Sequence, residues 1–205
     1  MNFLNSKGEV GQSKDLVAKP SVLEAEEAVR TLLRWAGDDP TREGLVDTPS
    51  RVVRAYKEWF AGYDQDPEKI LEKTFDEVAG YSEMVTLKDI RFESFCEHHL
   101  APIIGRAHIS YIPQGRVVGI SKIARLVDVF SKRLQVQEKM TSQIADTLQK
   151  AVKPLGSAVL VEGEHHCMCT RGVHKINATM TSSAFTGRFL QKQKLREEFY
   201  KIIGK

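Results

Sequence analysis

All three cysteines and four of the six histidines of this 205-residue chain fall in two short windows. The first is Ser94-Phe95-Cys96-Glu97-His98-His99-Leu100, and the second is His165-His166-Cys167-Met168-Cys169. Thiolate and imidazole are the side chains that suit zinc best, and residues of these types placed by packing alone would scatter. Cys96 and His99 stand three apart, a spacing that lets one turn aim both at a single ion. The second window has strand-like neighbours. Read as extended, it puts His165, Cys167 and Cys169 on one face and His166 and Met168 on the other. Cys96, His99 and one cysteine of the second window would form a three-ligand site with the fourth tetrahedral position open to water, the catalytic pattern. A closed structural site of Cys96, His99, Cys167 and Cys169 is the alternative. His98 and His165 flank these residues and are candidate proton donors or acceptors near neutral pH; the plainer reading of each is a core histidine.

Other candidates lie at predicted helix starts. A helix from Ser121 would offer free N–H groups and a positive dipole end to a phosphate. Lys122 in its first turn and Arg125 one turn on are unfavourable for the helix itself, and a polyphosphate would account for them; otherwise they are solvated cations. Arg171, four residues past Cys167, can bring another cation to the same ligand, or is an ordinary surface arginine. Glu138, with Gln137, opens a second helix. The dipole alone favours a carboxylate there, and a planar base bearing N–H donors would also use it. Neither G-x-x-x-x-G-K-[ST] nor G-x-G-x-x-G occurs, so no conventional glycine loop holds a nucleotide.

The elements that must position these residues alternate in kind. Residues 1–20 read as a flexible polar tail, followed by a helical segment over 21–80 and a catalytic domain over 81–205. Ser21 and Glu24 make a capping-box pattern before a helix that stops at Gly37. Thr48-Pro49 begins a second helix, and a short one follows Asp66-Pro67. From Met84 to Phe95 the pattern is a strand with an irregularity near Asp89. Ile103 to Ile112 is a second strand, and Val117 to Ile120 a short one. Ser121 caps a helix, Arg133 to Val136 is a break, and Gln137 to Val152 is a longer helix. Ser157 to Glu162 and His165 to Thr170 read as strands, or as one strand kinked at Gly163. Lys175 to Ser183 alternates again, and Leu190 to Ile203 is a terminal helix. Helices, two strands, two helices, two strands and a helix describe an α+β protein with an antiparallel sheet.

Composition narrows the function classes. Charged residues make up 28% of the chain and hydrophobic ones 41%, as in an ordinary globular protein. A net charge of +3 is too small and scattered to argue for nucleic acid as a partner. No apolar run approaches the roughly 20 residues of a membrane span, and the N-terminus lacks the apolar core of a signal peptide. Three cysteines, two of them one residue apart, do not make a disulfide framework and point to a reducing cytoplasm.

Taken together, four motifs resemble GTP cyclohydrolase I. They are Ser94 to His99, then Gly119-Ile120-Ser121-Lys122-Ile123-Ala124-Arg125, then Arg133-Leu134-Gln135-Val136-Gln137-Glu138-Lys139 with Thr141, and finally His165 to Gly172. The resemblance runs from about residue 21 to residue 203. It implies the tunnelling fold: an antiparallel four-stranded sheet with two helices between its hairpins, preceded here by N-terminal helices. It also implies a toroidal homodecamer with active sites between subunits, and conversion of GTP and water to 7,8-dihydroneopterin triphosphate and formate, the first step of pterin and folate biosynthesis. The family's zinc ligands fall on Cys96, His99 and Cys167, leaving Cys169 spare. His98 and His165 correspond to the proton-transfer groups, and Ser121 to the group that contacts the ribose during rearrangement. Glu138, with Gln137 beside it, corresponds to the reader of the guanine edge. Lys122, Arg125 and Arg171 correspond to the triphosphate clamp, which Arg51 joins from a neighbouring subunit.

Overall fold

The computed structural model describes residues 18–72, 74–75 and 80–205, so most of the expected N-terminal tail lies outside the described residues. The chain forms two compact units that divide between Tyr56 and Lys57. In the first, α1 (Val22–Trp35) opens with the expected capping box: the Ser21 hydroxyl accepts from the Glu24 amide, and the Glu24 carboxylate accepts from the Ser21 amide at 2.8 Å. α2 (Thr48–Trp59) starts in this unit, where Arg51 is exposed and pairs with Asp47 at 3.2 Å.

The second unit is built on a five-stranded sheet. Four long strands, β2 (Val85–Cys96), β3 (Pro102–Ile112), β6 (Gly156–His165) and β7 (Thr179–Phe185), pair antiparallel in that order. The expected strand irregularity is a bulge between Leu87 and Ile90, with Asp89 at φ 59°. Beside β2 a two-residue strand, β5 (Leu134–Gln135), pairs parallel, which makes the sheet mixed rather than purely four-stranded and antiparallel. A separate two-stranded ladder joins β1 (Thr74–Phe75) to β4 (Val117–Val118). Between the two hairpins lie α4 (Ile120–Ser131) and α5 (Gln137–Val152). The short helix α3 (Pro67–Leu71) is capped by Asp66, whose carboxylate accepts from the Glu68 and Lys69 amides.

Every residue from Gly156 to Val161 is buried, because β6 is covered on both faces. Val159 and Val161 join Ile123, Leu126, Ile144 and Leu148 of α4 and α5 in the main core. Ala158 and Leu160 face a second cluster with Phe189 of α7 (Arg188–Gln191) and Phe199 and Ile203 of α8 (Gln193–Ile203). The sequence pattern suggested one helix over Leu190–Ile203; it is broken at Lys192, whose backbone is extended.

Two further expectations are corrected. α4 begins at Ile120 with Gly119 in extended backbone as its N-cap, so Ser121 is the second helical residue and its hydroxyl caps nothing. His165 to Thr170 is not a strand: α6 (His166–Cys169) is one helical turn. The ladder explains why. β3 starts opposite His165 (Ile103↔His165) and β7 starts opposite Glu164 (Thr179↔Glu164), so beyond His165 neither side offers a strand partner. The chain satisfies its backbone locally instead, with the Thr170 amide and hydroxyl both donating to the His166 carbonyl.

Candidate metal centre and active site

The sheet register brings the two cysteine–histidine windows together. β2 and β6 run in the same direction on either side of β3, and both windows sit at their C-terminal ends, where Phe95 pairs with Pro102 and Ile103 pairs with His165. β2 then closes into a tight turn. The Cys96 amide donates to the Ala101 carbonyl at 2.9 Å, the Leu100 amide donates to the Cys96 carbonyl at 2.9 Å, and Leu100 adopts φ 54°. The turn projects His98 and His99 from beside Cys96.

One donor atom from each of Cys96, His99 and Cys167 lies within 4.8 Å of the others, and this is the group of three metal-ligating residues found among the described residues. Both thiols are buried, at 5% and 9% exposure, while His99 is exposed, so the group opens to solvent on the imidazole side. Two sulfurs and one nitrogen are a donor set that zinc favours, and a tetrahedral zinc site needs such atoms about 3.5–3.8 Å apart, a small contraction from this spacing. Burial pushes the Cys167 thiol up, and the adjacent Cys96 thiol adds to this. A cation placed between them would offset both effects.

Cys169 is left out of the group by the helical turn. Residues two apart on a helix point about 200° from one another, and the Cys169 thiol instead lies 3.2 and 3.3 Å from the His165 and Lys175 carbonyls, which share its one hydrogen. Arg171 does reach the group, with a guanidinium nitrogen 3.5 Å from His99 Nε2. His98 Nδ1 lies 3.7 Å from Cys96 Sγ. His165 is half-buried, and burial lowers its pKa against the opposing pull of Glu138.

β5 brings α5 to the same edge. Cys96 pairs with Gln135, and the Glu97 amide donates to the Gln135 carbonyl. The short strand is pinned from outside: Arg133 donates to the Gly62 and Gln65 carbonyls and stacks over Tyr63 and Phe130, and the Tyr63 hydroxyl accepts from the Leu134 amide. Three residues past the end of β5, Glu138 is exposed in the first turn of α5. Gln137 is different: it is 1% exposed, its amide nitrogen faces the Val161 and Met180 carbonyls and the Ser182 hydroxyl, and its amide oxygen lies 2.9 Å from His165 Nε2.

The remaining predicted residues are not gathered here. α4 leads from Ser131 directly into β5, beside Phe95 and Cys96. Its twelve residues span about 18 Å, so Ser121 and Lys122 stand in the turn farthest from that junction and Arg125 stands midway along the helix. Among the described residues no hydrogen bond or ion pair links them to Cys96, His99 or Cys167. What sequence reasoning missed is the buried place of the Gln137 side chain; the available signal was Gly163, a glycine inside a strand pattern.

An α+β unit that converges two thiols, an imidazole and two further histidines at one end of its sheet has a group of side chains that could hold a metal ion. The family description of GTP cyclohydrolase I matches residues 25–204. The chain is 60% identical over 185 residues to GTP cyclohydrolase 1 of Maricaulis maris, covering 90% of each chain. It is 56% identical over 190 residues to GTP cyclohydrolase 1 of Hyphomonas neptunium, covering 93% of this chain and 92% of that one. Among solved structures, an archaeosine synthase QueF-like protein in its apo form overlaps 51% of this chain and 93% of its own at 24% identity, with a TM-score of 0.43, a likeness too slight to carry the fold. The chain belongs to the GTP cyclohydrolase I family and is an enzyme of that kind.

Proposed function

We propose that this chain converts GTP and water to 7,8-dihydroneopterin triphosphate and formate at the sheet edge where Cys96, His99 and Cys167 meet. The observation that carries the reading is that grouping, with two histidines and a carboxylate beside it. Cys96, His99 and Cys167 hold zinc, which when bound supplies Lewis-acid activation of water at neutral pH. His165 and His98 move protons for opening of the imidazole ring and of the ribose. His165 is suited to accept one, since burial favours its neutral form. Glu138, exposed at a helix start, accepts the N–H donors of the guanine edge, and Gln137, buried beside it, supports the site from behind through its contact with His165. Arg171, Lys122, Arg125 and Arg51 neutralise the triphosphate, and Ser121 contacts the ribose during rearrangement.

The tunnelling fold and a toroidal homodecamer with sites between subunits complete the proposal. The position of Ser121 and Lys122 at the far end of α4 supports a site assembled from neighbouring subunits. So do exposed apolar residues such as Ile120, Val173 and Ile176, at 67%, 60% and 72%. No helix among the described residues is long and apolar enough to cross a membrane, and we place the enzyme in the cytoplasm, feeding pterin and folate synthesis.

The test is incubation with GTP while following formate and, after oxidation, a fluorescent pterin, with and without a chelator. Both products, lost on chelation and restored by zinc, are expected. Formate without pterin would defeat the assigned rearrangement and Ser121 with it. No reaction in zinc-loaded, assembled protein would defeat the function.

A further inference from the structure

Gln137 is a polar side chain buried at 1% exposure one residue before the exposed Glu138. Its nitrogen lies 3.1 Å from the Val161 carbonyl, 3.0 Å from the Met180 carbonyl and 3.1 Å from the Ser182 hydroxyl. Its oxygen lies 2.9 Å from His165 Nε2. The amide cannot be turned over. Rotation by 180° would set its oxygen against the β6 and β7 carbonyls, which have no hydrogen to give, and would leave buried groups unpaired at about 1–3 kcal/mol each.

The surroundings hold the same orientation. The Thr141 hydroxyl donates to the Gln137 carbonyl at 2.8 Å, so the 2.7 Å contact between Thr141 and Ser182 is donated by Ser182. The Ser182 oxygen is then an acceptor, and shares with the Val161 and Met180 carbonyls the two hydrogens of the Gln137 amide. Each group in this ring has one consistent role, and the Gln137 oxygen is the acceptor left facing His165. Room for it comes from Gly163 on β6, where a Cβ would lie 2.7 Å from that oxygen.

We infer that Gln137 is a positioning residue that fixes both the ring orientation and the tautomer of His165. An oxygen acceptor at Nε2 requires Nε2 to carry a proton. The neutral ring therefore presents its lone pair at Nδ1, and proton exchange with a substrate takes place there. The inference rests on the proposed proton-transfer role of His165 only for its effect on turnover; the tautomer itself is a property of the resting enzyme. It is also distinct from reading the base, because the buried amide is fully occupied by protein partners.

The experiment is nitrogen-15 NMR of zinc-loaded, histidine-labelled enzyme in the solid state, with His165 assigned by its loss in His165→Phe, followed by Gln137→Met. In the parent enzyme the neutral His165 should show a protonated Nε2 and an unprotonated Nδ1. In Gln137→Met the two tautomers should mix, and kcat should fall about tenfold or more with KM for GTP within about twofold and zinc content unchanged. A protonated Nδ1 with bare Nε2 in the parent enzyme would overturn the inference, whether or not the variant folds. So would a Gln137→Met enzyme with unaltered tautomer. A correct tautomer together with full turnover in His165→Ala would instead overturn the catalytic reading of His165 and leave the positioning intact.

Discussion

Gly163→Ala tests the packing behind the site without touching a proposed ligand or proton carrier. Gly163 is buried in β6 between Gly105 and Met180 of the neighbouring strands, and its backbone is not left-handed, so alanine brings no conformational strain. A Cβ there would lie 2.7 Å from the Gln137 oxygen and 2.9 Å from Ile103 Cγ2. Ordinary contact needs 3.4 Å or more, so the amide must retreat by about 0.7 Å. Its bonds to His165, Val161, Met180 and Ser182 span 2.9–3.1 Å, and a shift of that size takes most of them to the limit of a hydrogen bond. Losing two of them in a buried site, plus overpacking against Ile103, costs about 2–4 kcal/mol. The lower entropy of the unfolded alanine chain returns about 0.4–1 kcal/mol. The net loss of about 2 kcal/mol corresponds to a fall in melting temperature of about 4–8 °C. Differential scanning calorimetry of the zinc-loaded protein measures this, with zinc content as the check that the metal group is intact. A melting temperature equal to or above the parent would show that the amide has room to spare, and would refute the fixed geometry around Gln137.

Cys167→Ser should lose both zinc and turnover, while Cys169→Ser keeps both, because its hydroxyl can still donate to one of the His165 and Lys175 carbonyls; metal analysis beside the GTP assay separates the two, and the reverse pattern would mean that the other cysteine is the ligand. His165→Ala should retain zinc and lose about 100-fold or more in kcat as a proton carrier, whereas loss of zinc would make His165 a ligand. His108 offers a pH prediction away from the site. It is buried on β3 with Nε2 3.5 Å from the Glu162 carboxylate, and burial lowers its pKa below 6.5 despite the pull of Asp89 and Glu162 and with a small push from Lys205. Below pH 6.5 the unfolded chain therefore binds a proton that the folded chain resists, so stability falls as pH drops from there towards the lowered folded value. His108→Gln should flatten that part of a melting-temperature profile, and an unchanged profile would remove His108 as its source.

Local signals in the sequence carried the elements that are set locally. The Ser21–Glu24 capping box, the helix over Gln137–Val152 and the irregularity at Asp89 each depend on neighbours a few residues away, and each is present. Elements decided by distant partners were not legible. Whether His166–Cys169 is strand or helix depends on where β3 and β7 begin, which the second window does not contain. β5 exists because Gly62, Tyr63 and Gln65, some 70 residues earlier, pin the segment around Arg133 beside β2. The site divides in the same way. Clustering of cysteine with histidine was readable, and so was a choice between Cys167 and Cys169 in need of settling. Their separation follows from a four-residue helix too short to show a period. Gln137 read as a neighbour of Glu138 on the helix start, yet adjacent helical residues point about 100° apart. One is exposed and the other lies buried against β6 and β7.

The most direct measurement is turnover of GTP against zinc bound per chain, with the metal added stepwise to chelator-stripped, assembled enzyme and both quantities read in the same samples. With zinc held by Cys96, His99 and Cys167 and required for the reaction, formate and pterin production should be absent at zero zinc and rise in proportion to a plateau at one zinc per chain. Turnover that is already full in the stripped enzyme, or that does not follow zinc occupancy, would contradict the assignment of this group as the centre of the active site.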